Sequence, residues 1–71
     1  MAISYYDFKN LTNQSQYELV IIQGKVISET STDMLKFVLY EMSSFCVEVV
    51  YQISTDKLAG ISAFQKKIGS E

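Results

Sequence analysis

Between Met34 and Phe64 the chain carries three runs rich in β-branched and aromatic residues: Met34–Met42, Phe45–Ile53 and Leu58–Phe64. The connectors are short and polar, Ser43-Ser44 and Ser54-Thr55-Asp56-Lys57. Serine, threonine and aspartate are turn residues, and alternating apolar runs bounded by them read as strands. Links this short cannot carry a crossover, so each run must fold back beside the one before it. The pattern predicts an antiparallel meander.

The N-terminal third reads differently. Tyr5, Phe8 and Leu11 recur every three residues behind Ser4, which suits a short capped helix. Thr12, Asn13 and Ser15 interrupt it and offer caps for a second segment. Residues 15–23 satisfy two patterns. As a helix, Tyr17, Val20 and Ile21 share a face and Gly24 supplies a left-handed end. As a strand, Tyr17, Leu19 and Ile21 alternate with Glu18, Val20 and Ile22, and Gln23-Gly24 becomes a hairpin turn. The capping cluster favours the helix. Residues 25–30 read as a short strand and Glu29 to Asp33 as a polar turn. The expected fold class is α+β: one domain, with a helical segment over 4–23 packed on a three- or four-stranded antiparallel β-meander over 25–64. A flexible tail is expected over 65–71. The alternative is a nearly all-β chain with a hairpin over 17–30.

A chain of 71 residues needs an efficient core, a staple or a partner. One cysteine, Cys46, allows no internal disulfide, and the absence of histidine removes the usual Cys/His zinc site. With 48% hydrophobic residues a core is affordable in composition. The net charge is −2 and all six basic residues are lysines. An acidic chain without arginine is a poor ligand for nucleic acid or an anionic membrane. The longest apolar runs, Leu19–Ile22 and Phe37–Tyr40, are too short to span a bilayer. Met1–Asp7 lacks the basic start and apolar stretch of a secretory signal, and a lone thiol suits a reducing compartment. The expected location is cytoplasmic.

The turns also assign faces. With Ser43-Ser44 as a two-residue loop, Tyr40 opposes Val47 and Val38 opposes Val49. A four-residue second loop predicts Ile53 opposite Leu58, Tyr51 over Gly60 and Val47 opposite Phe64. Alternation then puts Val38, Tyr40, Met42, Phe45, Val47, Val49, Tyr51, Ile53, Leu58 and Phe64 on the core side. The opposite side carries Leu35, Phe37, Leu39, Val50 and Ile61, with Cys46, Ala59 and Ala63 and the polar Glu41, Glu48 and Gln52. A solvated sheet face should alternate to polar residues, and this one does not. Leu35, Phe37, Leu39, Val50 and Ile61 are therefore the candidate interface, with a second copy or another protein as partner. The competing arrangement divides the two N-terminal segments, one to each face.

Chemistry is sparse. Glu48 is the one charge inside the most hydrophobic strand, a weak functional candidate because no basic or acidic partner is predicted opposite it. Cys46 has no histidine to activate it and suits a buried small residue. The aromatics lack the basic groove of a base-stacking sheet. Gly24, Gly60 and Gly69 match no phosphate loop. No catalytic residue, cofactor or metal is expected, and the chain is read as non-enzymatic.

Phe37-Val38-Leu39-Tyr40, then Phe45-Cys46-Val47-Glu48-Val49-Val50-Tyr51 and Ala63-Phe64, with Gly24 upstream, resemble a group of small uncharacterised bacterial proteins. These share a Leu-Tyr strand followed by a Phe-x-Val-Glu-Val-x-Tyr strand. The resemblance implies a meander and a bacterial source, and no activity. A basic residue commonly follows the first strand in that group, whereas Ser28-Glu29-Thr30-Ser31 stand here. The function expected from the residues is a protein-interaction module that self-associates or binds a partner through its apolar sheet face. The alternative is a binder of small apolar ligands.

Overall fold

The computed structural model describes residues 3–65. Two helices, α1 (Tyr5–Lys9) and α2 (Asn13–Gln23), precede four strands, β1 (Lys25–Ser31), β2 (Leu35–Glu41), β3 (Phe45–Gln52) and β4 (Lys57–Gln65). The strands form one antiparallel sheet in the order β1-β2-β3-β4. The architecture is the expected α+β meander with four strands. Of the expected tail, Gln65 ends β4 and 66–71 lie outside the described residues.

Both helices begin on a side-chain cap. Ser4 Oγ accepts from the Asp7 amide at 3.1 Å, and Thr12 Oγ1 accepts from the Ser15 amide at 3.1 Å. Each satisfies a first-turn N–H that has no partner within its helix. Residues 15–23 are thus helical, within α2, and bury Gln16 and Val20. The cap and the burial of that inward stripe outweigh the β-branched propensity of Val20, Ile21 and Ile22.

Gly24 ends α2, but not through the left-handed conformation expected: its φ is −80° and its ψ 153°. The glycine is required by proximity instead. A Cβ at this position would lie 2.6 Å from the Val20 carbonyl oxygen and 3.1 Å from the Tyr40 ring. The absence of a side chain at position 24 thus leaves room for the Val20 carbonyl in the last turn of α2 and for the Tyr40 ring beside it.

The Ser43-Ser44 turn sets β2 against β3 as expected, with Tyr40 opposite Val47 and Val38 opposite Val49. The Met42 amide donates to the Phe45 carbonyl at 2.8 Å. The β3–β4 register departs from expectation. Gln52 pairs with Lys57 and Tyr51 with Leu58, then a bulge shifts the register so that Val50 pairs with Gly60, Val49 with Ile61 and Val47 with Ala63. The extra residue, Ala59, reverses the alternation beyond it. Ile61 and Ala63 consequently join the core side, and Phe64 moves to the other face opposite Cys46. Tyr51 does not cover Gly60, and Ile53 and Leu58, expected in the core, lie at the loop end of the sheet and are exposed, at 47% and 36%.

The core contains Phe8, Val20, Val38, Tyr40, Met42, Phe45, Val47 and Val49. Phe8 from α1 and Val20 from α2 pack on the same sheet face, so the two helices do not divide the faces between them. Phe8 and Tyr5 meet the Phe45 ring at centroid distances of 5.2 and 5.8 Å. The Gln16 amide donates to the Phe8 carbonyl at 2.9 Å and ties the helices together without leaving a buried polar group unpaired.

Candidate functional site

The face turned away from the helices is organised by the register. Crossing from β2 to β4, its rows read Glu41, Cys46, Phe64; then Leu39, Glu48, Ser62; then Phe37, Val50, Gly60. Leu35 and Gln52 follow, with Lys57 beyond Gln52. On the outer side β1 adds Lys25 beside Glu41, Ser28 beside Leu39 and Thr30 beside Phe37. Leu35, Phe37, Leu39 and Val50 are half-buried, while Phe64 remains 44% exposed. No described element lies over them.

Four of the five interface residues expected from the sequence, Leu35, Phe37, Leu39 and Val50, share this face. Ile61 does not: it pairs with Val49 and packs against the core. Phe64 takes its place on the open side, and only the bulge at Ala59 puts it there. Glu48 stands in the middle of the face, between Leu39 and Ser62 across the sheet and Cys46 and Val50 along its strand. None of these neighbours is basic. Cys46 is a buried thiol, 8% exposed.

A second feature lies on the helix side, where α2 stops short of β1. The chain turns directly from Gly24 into β1, and all seven β1 residues are exposed. An open cavity of about 290 Å³ results. It is lined by Val26, Val38 and Tyr40 from β1 and β2, by Tyr17 and Tyr51, and by the charged Glu29, Lys36 and Asp56. Glu29 Oε2 lies 3.0 Å from Lys36 Nζ, a pair that is about half exposed on both sides. The Glu29 hydrogen bond, then its charge, hold the Lys36 ammonium above its usual pKa, with smaller contributions from Asp56 and Tyr40. The Tyr51 hydroxyl donates to the Tyr17 hydroxyl at 3.2 Å. Burial raises the Tyr51 pKa, and hydrogen bonds with Tyr17 and Tyr40 raise it further. The Tyr51 phenol is therefore neutral at physiological pH.

Among the described residues no group of three or more His, Cys, Asp or Glu can hold a metal, and no helix is long and apolar enough to cross a membrane. The fold and these two surfaces define a small α+β domain with one sheet face covered by the helices and one over which none of the described elements lies. No family model, curated protein or solved structure matches the chain.

Proposed function

We propose that this domain is a non-enzymatic interaction module that self-associates through the open face of its sheet. The observation that carries this reading is the placement of both helices on one side, which leaves Leu35, Phe37, Leu39, Val50 and Phe64 on the other. Four strands about 4.8 Å apart, each rising about 3.3 Å per residue, make a face of roughly 19 by 25 Å, or about 500 Å². Two copies face to face then bury about 1,000 Å², which reaches the lower bound for a specific interface. A second copy also supplies what the face lacks, a matching apolar surface with polar groups at its corners.

Light scattering across a dilution series tests this directly. The expected mass is twice the 8.1 kDa of one chain, falling toward one chain as the sample is diluted. Val50→Lys places a charge at the centre of the patch and is expected to give a folded monomer at every concentration. A wild-type chain that stays monomeric at millimolar concentration refutes self-association.

A further inference from the structure

The open cavity beside β1 carries chemistry that the sheet face does not. Its lining holds two carboxylates, Glu29 and Asp56, against one ammonium, Lys36, and three tyrosines. The balance of formal charge is therefore −1, with oxygen acceptors in excess of donors. A ligand that satisfies such a site must donate hydrogen bonds and carry positive charge. Electron-rich phenol rings attract the same kind of group, and most strongly where water is partly displaced. The volume of about 290 Å³ is at the lower end for ligand pockets, which selects a small group. The cavity already holds one cation of this type: the Lys36 ammonium reaches Glu29 at 3.0 Å and feels Asp56 and Tyr40 as well.

We propose that this cavity binds an alkylammonium group, held by Glu29, Asp56 and the tyrosines Tyr17, Tyr40 and Tyr51, and that Lys36 is the internal occupant which the incoming group displaces. Exposed pairs such as Glu29–Lys36 are worth little on their own, so exchanging one ammonium for another costs little. The site lies on the opposite side of the sheet from the proposed interface and is independent of whether the chain dimerises.

The charge logic gives substitutions opposite signs. Glu29→Gln and Asp56→Asn each remove a carboxylate and are expected to weaken binding about three- to fivefold. Asn is well suited to position 56, whose φ is 58°, so the turn survives the change. Lys36→Met removes the competing ammonium and is expected to tighten binding by a similar factor. The measurement is an NMR titration of the full chain with 1,4-diaminobutane, with a capped Gly-Lys-Gly peptide and with acetate, following the tyrosine ring signals. Saturable shifts of Tyr17, Tyr40 and Tyr51 with either amine, and none with acetate, support the site. Stronger binding of the diamine assigns a free amine as the ligand, and stronger binding of the peptide assigns a lysine side chain. The proposal is overturned by the absence of saturation up to about 50 mM of both amines, by acetate acting in their place, or by Lys36→Met weakening amine binding.

Discussion

The two faces of this sheet carry comparable apolar side chains, yet the helices cover only one of them. On the covered face Val38, Tyr40, Phe45, Val47 and Val49 are uninterrupted by charge, and Phe45, Val47 and Val49 are fully buried. On the open face Glu48 lies between Leu39 and Ser62, and Glu41 sits beside Cys46. Packing a helix there would require taking the Glu48 carboxylate out of water, which costs several kcal/mol unless it is paired. The covered face carries its charges, Glu29 and Lys36, toward the β1 edge, whereas Glu48 sits in the middle of the open face, and that position disfavours covering it. The open face is left suited to contacts that keep its polar corners wet.

The comparison breaks most sharply at matched phenylalanines. Phe45→Ala should cost about 3–5 kcal/mol, most of the total stability expected of so small a domain. Phe37→Ala on the open face should cost well under half of that in the monomer and act mainly on association. Urea denaturation of both variants at low concentration checks the pair. Gly24→Ala comes next. Its new methyl group would lie 2.6 Å from the Val20 carbonyl oxygen, so the last turn of α2 must shift, and a loss of about 1–3 kcal/mol is expected, seen as a lower urea midpoint.

Tyr51→Phe has the smallest effect, and part of it depends on pH. The folded chain keeps the Tyr51 proton above the usual pKa of 10.0, so the unfolded chain releases it first. Stability is therefore full below about pH 10 and falls as pH rises beyond it. Replacing the phenol should flatten that alkaline decline and lower neutral stability by about 1 kcal/mol through the lost hydrogen bond. Thermal melts between neutral and strongly alkaline pH measure both.

The β2–β3 hairpin was legible in the sequence because a two-residue turn leaves one register. The helix over 13–23 was legible from Thr12 and the capping cluster, although its β-branched residues also fitted a strand. The β3–β4 register was not, because a bulge adds one residue without changing composition. Gly60, isolated within a strand pattern, was its only signal. The exchange of Ile61 for Phe64 on the open face follows from that single residue. The cavity was beyond reach, since Tyr17, Glu29, Lys36 and Asp56 come from different elements and meet only once α2 has stopped at Gly24. One part of it had a local cue: Glu29 and Lys36 flank the β1–β2 turn, where cross-strand neighbours of opposite charge are favoured.

The sequential order of the strands has a kinetic consequence. Each hairpin joins segments adjacent in the chain, so loop closure is inexpensive and the sheet can zip from any turn. Docking the helices is the exception. The Gln65 side chain at the end of β4 donates to the Tyr6 hydroxyl of α1 at 3.4 Å, joining segments 59 residues apart. During synthesis α1 leaves the ribosome well before β4 does. Its apolar side must therefore wait, uncovered, until the last strand arrives to complete the surface on which it rests.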